Sequence, residues 1–539
     1  MDLAKAFPSF DERRVIHRGD GLLVVDKPAG VPSQGADPEV PDDLPARLQG
    51  LAEYLGTHQR LDAETSGLVL FTTEKSANAA IAEQFEKRRI TKTYVACVEN
   101  FRGQKKTLED VIDGKKAVMH ARVTERAGQR AMLEIDLETG RTHQARIQLQ
   151  RAGSPIAGDT LYGGPPAPRL MLHAMGLDVV APNGKTLALR APVPEEMREW
   201  LEQGDRGERV YDDEGALRSA LSLAFERRWG LLRAMPEGRA TDVFRLANDE
   251  GDALPGLTID FYAGFVVVSF SREFTNERRA RILAAIAAFG FDGVYEKSRP
   301  KNASALTPAQ REALAPKTPS RGAAAPSPLV VHEEGIPYDV RLDDGLATGF
   351  YSDQRKNRRR VRSVSGGARV LNLFSYTCAF SVAADAGGAT RVVSVDASAS
   401  FLERGRENVI RADFDLTKHE FVADDARAWL ERAARKKEQF DLIILDPPSY
   451  GTAGGKRFSI ASDFVPLCSL AMRLLAPRGQ MLASINHRKT SQNQFRHAVQ
   501  WAAREAPLDA AVRDLPPPLD FPARGEGHLK AVWVVSRRV

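Results

Sequence analysis

Gln59-Arg60-Leu61-Asp62-Ala63-Glu64-Thr65-Ser66-Gly67-Leu68-Val69-Leu70-Phe71 sets an arginine and a carboxylate close together, just ahead of an apolar run. Leu68 to Phe71 reads as a short strand, and the residues before Ser66 as the turn that feeds it. A strand end is a stiff mount for a reactive carboxylate, and Gly67 lets another backbone come close beside it. On a loop, Arg-x-Asp is ordinarily a solvated pair that contributes little. Here Lys92-Thr93-Tyr94 and Thr139-Gly140-Arg141-Thr142-His143-Gln144 follow and add weight to it.

Around this stretch the first 205 residues alternate short β-like runs with loops. Leu22 to Asp26 predicts a buried strand ending in the turn Lys27-Pro28-Ala29-Gly30. A helix is predicted around Ala77 to Phe85, strands near Tyr94 to Val98 and Ala131 to Leu137, and a short helix after Pro192-Val193-Pro194. With Asp26-Lys27-Pro28-Ala29-Gly30, Gly158-Asp159-Thr160-Leu161-Tyr162-Gly163 and Met171-Leu172-His173-Ala174 in order, residues 15 to about 200 resemble the RluA-type pseudouridine synthases. The resemblance implies an α+β fold with a mixed antiparallel sheet and no cofactor. It places Asp62 as the catalytic aspartate and Arg141 as the cation beside it. It has Arg60 fill the space a flipped uridine leaves, Tyr94 lie against the flipped ring, and Leu172 form the apolar floor. Histidines 143 and 173 become structural. Gln59 stands where the family usually has histidine.

The last 200 residues change rhythm. Val370 to Phe374, Arg391 to Val395, Asp441 to Leu445 and Gln480 to Ser484 are near-continuous apolar runs. Such runs fit parallel strands covered on both faces, here in a doubly wound, Rossmann-like sheet. Asp396 ends the second run, where a carboxylate grips ribose hydroxyls, and Asp425 is placed to accept from an adenine amino group. Asp446 ends the next run and opens Asp446-Pro447-Pro448-Ser449-Tyr450; the prolines stiffen that loop, and Tyr450 is available to stack on a base. Residues 240 to 539 resemble the RlmI/RlmK-type ribosomal RNA methyltransferases, through Leu254 to Asp260, Thr348 to Arg355 and Leu371 to Thr377. The resemblance implies S-adenosyl-L-methionine as cofactor, with Phe374, Tyr376, Tyr351 and Gln354 lining its pocket. Cys378-Ala379 follow where relatives often have glycine. Relatives that methylate cytosine carbon-5 carry a cysteine just past the fifth strand, and Asn486 holds that place here. Asn486-His487-Arg488 resembles the Asn-Lys-Arg of the guanine-methylating branch, which points to guanine ring nitrogen 7.

Length and composition bound these readings. The 539 residues are too many for one core and predict a multidomain α/β chain, divided as 1–205, 206–330 and 331–539. The middle part reads as a small α+β domain whose Pro/Ala/Ser-rich stretch, 299–328, is predicted to be a mobile loop. With 43% hydrophobic and 27% charged residues, and no apolar run long enough for a span, an ordinary soluble protein is expected. The amino end lacks a signal peptide's apolar core, so a cytoplasmic address is expected. Three scattered cysteines support neither a disulfide framework nor a metal site. The net charge of +5 is mild, but Glu86 to Lys92 and Arg355 to Arg362 concentrate basic residues and suggest phosphate contacts. The expectation is a fused RNA-modifying enzyme acting on large-subunit ribosomal RNA. Two rivals stay open: a synthase-like part that only binds RNA, and the same two activities on transfer RNA.

Overall fold

Alternation along Ser66–Thr72 explains why this strand is apolar on both sides. Leu68 and Leu70 enter one core with Leu22 and Val24, while Val69 and Phe71 enter another with Leu23 and Val25. Successive side chains of a strand point to opposite faces, so a strand covered on both has no polar face to spare. Each such side chain contributes about 1.5–3 kcal/mol on full burial. The computed structural model describes residues 10–35, 43–232, 241–298, 307, 314–448, 450–453 and 456–537, with the backbone alone for 232, 450–453, 456–458 and 461.

Contacts divide the chain into two compact units: Met1–Arg233 with Asp252–Gly256 and Phe274–Gly290, and Ala234–Gly251 with Leu257–Glu273 and Phe291–Val539. The stretch 206–330, read from sequence as one middle domain, thus has segments in both. In the first unit, the main sheet runs β1 (Val15–Gly19), β2 (Leu22–Lys27), β4 (Ser66–Thr72), β9 (Leu172–Val180), β5 (Thr91–Glu99), β8 (Arg130–Leu137), β7 (Lys115–Ala127), β6 (Lys105–Ile112). β3 (Gly56–Thr57) joins β4, and β10 (Thr186–Arg190) joins β9. Every pairing is antiparallel except β4 with β9, the mixed sheet the resemblance implied.

The second unit holds a five-stranded sheet, β11 (Val243–Asn248) to β15 (Arg321–Gly322) by way of β12 (Leu257–Tyr262), β13 (Phe265–Phe270) and β14 (Gly293–Ser298). β15 falls within the stretch expected to be a loop; residues 299–306 and 308–313 of that stretch lie outside the described residues. A hairpin, β16 (Leu329–Glu333) with β17 (Ile336–Val340), follows. The seven-stranded sheet runs β20 (His419–Ala423), β19 (Arg391–Asp396), β18 (Arg369–Leu373), β21 (Phe440–Leu445), β24 (Leu475–Asn486), β26 (Leu529–Ser536), β25 (Ala510–Leu515). Its first five strands are parallel, and the last two add antiparallel. Leu371, Ile443 and Leu445 face one core, and Val370, Leu442 and Ile444 the other, as a doubly wound sheet requires. A short hairpin, β22 (Tyr450–Ala453) with β23 (Lys456–Ser459), follows β21.

The second basic cluster is not a free surface. On the helix Arg355–Val364, Arg355 is buried against Asp520, and Arg358 is buried in a bidentate pair with Glu333 at 2.6 Å. Arg359 pairs with Glu334, and the Arg360 guanidinium lies over the Trp533 ring at 4.7 Å. The phosphate contacts expected of this cluster are therefore overturned for Arg355 and Arg358. Breaking one such buried pair costs about 3–5 kcal/mol, so these arginines hold the fold.

Candidate active sites

β4 meets β9 only through Ser66 opposite His173 and Gly67 opposite Ala174. Gly67 has φ +116°, and a Cβ there would lie 2.3 Å from the Ala174 carbonyl oxygen, so the crossing admits only glycine. It brings the turn that carries Asp62 against the strand that carries Leu172. On the other side of β9, Tyr94 stands opposite Ala174 and Ala96 opposite Leu172. Tyr94 packs among Leu61, Ala174 and the core that contains Leu172. Burial, and then the Asp62 charge, push its hydroxyl up to about 12, so it stays protonated.

Asp62 is partly exposed, and its Oδ2 accepts from Arg146 Nη1 at 3.1 Å; His143 Nε2 stands 3.6 Å from Oδ1. Arg146, on the helix Gln144–Arg151, is fixed by Asp159, to which Nε and Nη2 donate at 2.7 and 2.9 Å. Asp159 is buried and also accepts from the backbone N–H groups of Leu161 and Tyr162. The guanidinium lies 5.1 Å from the Tyr162 ring centroid. Arg141, which the resemblance implied as the cation, instead donates from Nε to the Lys116 carbonyl at 3.3 Å. The reason is local: His143 takes a left-handed φ of 54° and starts the helix, which sends the arginine three residues later toward Asp62. The i, i+3 spacing of His143 and Arg146 was the signal for it.

The neighbouring positions differ in kind. Arg60 is exposed at the rim, and Gln59 Nε2 donates to the Leu68 carbonyl at 3.0 Å. His173 is fully buried, shares a 2.9 Å hydrogen bond between Nδ1 and Ser66 Oγ, and is pushed down to about 3 by burial, hence neutral.

In the second unit the loop after β18 is strained. Phe374, Tyr376 and Cys378 have φ of 57°, 48° and 60°, conformations that cost of order 1–3 kcal/mol each and need outside support. Ser375 N donates to Val395 O at 3.1 Å, Thr377 Oγ1 to Gly349 O at 2.6 Å, and Tyr376 N to Asp396 Oδ2 at 2.9 Å. Asp396 also accepts from Ser398 N at 2.9 Å, and Asp425 caps the helix Ala426–Arg435 through Ala428 N at 2.9 Å. The Tyr351 and Tyr376 rings lie 5.4 Å apart, with Tyr351 51% exposed, while Phe374 packs half-buried on the sheet core. Phe374, Tyr376, Tyr351, Asp396 and Asp425 thus gather at or beside the carboxyl ends of β18, β19 and β20. An aromatic wall, two carboxylates and the buried Ser375 hydroxyl, which has no oxygen or nitrogen partner among the described residues, suit a nucleoside with a polar amino-acid tail.

Gln354, expected beside the cofactor, is grouped with Asp446. Its Nε2 donates to Asp446 Oδ2 at 3.0 Å and to Ser484 Oγ at 3.2 Å, and Ser484 Oγ donates to Asp446 Oδ1 at 2.6 Å. Asn357 Nδ2 completes the chain by donating to Gln354 Oε1. Burial raises the Asp446 carboxyl; burial and the Asp446 charge push Asp353 up to about 6. Ser484 and Asn357 escaped the sequence reading, although a serine inside the apolar run of β24 was a visible signal. Pro447 is buried, Pro448 exposed, and Asn486 exposed at the end of β24. Ser449 and the Tyr450 side chain, and with them the stacking role expected of Tyr450, lie outside the described residues.

All three cysteines are buried, and burial raises every thiol, Cys378 to about 11 and Cys97 to about 12. Among the described residues no group of three or more His, Cys, Asp or Glu is placed to hold a metal ion, and no helix is long and apolar enough to cross a membrane.

Known proteins match both units. Residues 320–534 fit the model of the S-adenosylmethionine-dependent methyltransferase family, and residues 21–151 that of the RNA pseudouridylate synthases. Ribosomal RNA large subunit methyltransferase I of Aeromonas salmonicida is 34% identical over 50% of this chain and 68% of its own. Its namesake from Yersinia pseudotuberculosis is 33% identical over 57% and 75%. The solved structure of SMU.776, assigned as a methyltransferase and complexed with SAH, superposes with a TM-score of 0.54 at 26% identity, over 67% of this chain and 88% of that one. With the carboxylates ranged along the sheet edge, these matches show that the chain belongs to the S-adenosylmethionine-dependent methyltransferases of the large subunit methyltransferase I family, with an RNA pseudouridylate synthase domain fused ahead of it.

Proposed function

We propose that the chain modifies large-subunit ribosomal RNA twice, in the cytoplasm: it isomerises uridine to pseudouridine and methylates a base, favouring guanine ring nitrogen 7. Its working parts are residues 1–205 for isomerisation and 331–539 for methyl transfer, with segments of 206–330 contributing to both units. The observation that carries the first activity is the Asp62–Arg146 pair beside Tyr94 and Leu172. Uridine isomerisation breaks a glycosidic bond, turns the base and rejoins it through carbon. A carboxylate that attacks the sugar or removes a sugar proton is the minimum equipment. Asp62 fills that role, with Arg146 as its counter-charge and Asp159 as the clamp that aims Arg146. Arg60 fills the space in the stack once the uridine has left it, Tyr94 lies along the flipped ring, and Leu172 supports it from below.

For methyl transfer, S-adenosylmethionine supplies an electrophilic methyl group, and the protein's work is to hold donor and acceptor in line. Asp396, Asp425, Phe374, Tyr376 and Tyr351 hold the donor; Asp446, Pro447, Pro448, Tyr450 and Asn486 hold the acceptor, with Gln354 and Ser484 aiming Asp446. Carbon-5 of cytosine needs a thiolate to add to the ring, and three buried, proton-retaining thiols offer none. Guanine nitrogen 7 has a free lone pair and needs no such help. The test is nucleoside mass spectrometry of ribosomal RNA from cells with and without the gene, joined to tritium release from labelled uridine RNA in vitro. Loss of one pseudouridine and one 7-methylguanosine together is the expected result. An intact pseudouridine profile would leave the first part a binding module, and a transfer RNA change alone would move the substrate.

A further inference from the structure

An open cavity of about 550 Å³ lies just beyond the end of β24, walled by three carboxylates (Asp249, Glu250, Glu526), two arginines (Arg272, Arg488), Ser271 and His528. None of the residues assigned above to donor or acceptor lines it, although Arg488 follows Asn486 by two positions. Its walls are tied together. Lys530, 1% exposed, donates from Nζ to the carbonyls of His487, Gly527 and His528, and His487 N donates to His528 O at 3.1 Å. Glu526 is steadied by Gln492 N at 2.7 Å.

The lining mixes signs, which argues against a simple anion and for a nucleotide. Arg488 is exposed at the mouth, with no ion pair among the described residues, and suits a phosphate. Glu250 and Arg272 stand 3.6 Å apart, so one wall of the cavity presents a carboxylate and a guanidinium side by side. Guanine alone among the bases offers an N7/O6 acceptor pair suited to a guanidinium and an N1–H/N2–H donor pair suited to a carboxylate. His528, pushed down to about 4 by burial and by Arg488, is a neutral ring suited to lie against a base. We infer that this cavity is a guanine subsite, holding a nucleotide of the substrate RNA near the methylated one but separate from it. The inference rests on the RNA methyltransferase reading and adds a sequence requirement to it.

The test measures fluorescence anisotropy of the full chain with heptamers of uridine carrying guanosine, adenosine or uridine at the centre. The guanosine heptamer should bind about tenfold more tightly than the others, in keeping with one good base contact. Glu250→Gln should erase that preference while S-adenosylmethionine binding and the melting curve stay unchanged. Arg488→Ala should weaken all three heptamers alike. Equal affinities for the three in the unaltered chain, or a guanosine preference that survives Glu250→Gln, would overturn the subsite. Tritiated methyl incorporation into ribosomal RNA, run on the same preparation, judges the underlying reading separately: no transfer by the unaltered chain defeats that reading, while the heptamers still report on the cavity.

Discussion

Asp62 and Asp446 both sit where a strand meets a loop, yet they are held by opposite means. Asp62 takes a guanidinium as direct partner, and that guanidinium is clamped by a second, buried carboxylate. Asp446 is gripped by an amide and a hydroxyl, both neutral, and burial raises its carboxyl. Around Asp446 burial disfavours the charged form, against the Ser484 and Gln354 hydrogen bonds, which favour it; Asp62 stands partly exposed beside a full positive charge. The first arrangement suits a group that must attack or abstract; the second suits a group that positions a base beside a methyl donor already reactive enough. The two units therefore place the same side chain in two electrostatic settings fitted to two chemistries.

The largest break in this contrast should come from Asp62→Asn. Tritium release from labelled uridine RNA should fall by at least about a thousandfold, since the side chain that acts is removed, while methyl incorporation stays within about twofold. Loss of both together would mean that the units do not work independently. Arg146→Ala comes next: isomerisation should drop by about a hundredfold, as when a specific catalytic contact of about 3 kcal/mol is lost. Arg146→Lys should rescue little, because an ammonium cannot fork to Asp159 and still reach Asp62. Recovery to near-normal rates in the lysine variant would reduce the clamp to a simple point charge.

A smaller effect concerns stability in the second unit. Asp353 is raised to about 6 in the fold, above its ordinary value near 3.8, so its contribution is fully present below that ordinary value and is lost as pH rises through about 6. Asp353→Asn should therefore raise urea stability by about 1–3 kcal/mol at pH 8 and by much less at pH 4.5. An equal gain at both pH values would mean that burial of this charge is not the cause. The smallest effect is the most pointed: Arg141→Ala should leave isomerisation within about threefold, because its guanidinium serves the Lys116 carbonyl. A loss as deep as that of Arg146→Ala would restore Arg141 as the partner of Asp62.

The sequence alone determined the strands that are apolar runs and what they carry, but not the more polar β6, β7 and β10. Apolar runs such as Leu68 to Phe71 and Asp441 to Leu445 fit strands of a covered sheet, because too little polar surface is left to face water. Gly67 could be read in advance as a place of close backbone approach, whereas the grouping of Asp62, Tyr94 and Leu172 was implied by the family resemblance; chain order could not supply it, because β4 and β5 are joined through the later strand β9. What tertiary structure decided was the fate of the charges. Arg141 and Arg146 stand on one short motif, and only the left-handed turn at His143 selects which of them reaches Asp62. Arg355 and Arg358 looked like an RNA-facing cluster until Asp520 and Glu333 arrived from 165 and 25 residues away. Gln354 likewise found its partners, Asp446 and Ser484, 92 and 130 residues along the chain. Apolar periodicity is a local property of a chain, but the role of a charge depends on which distant group comes to share its desolvation, and that is settled only when the chain has folded.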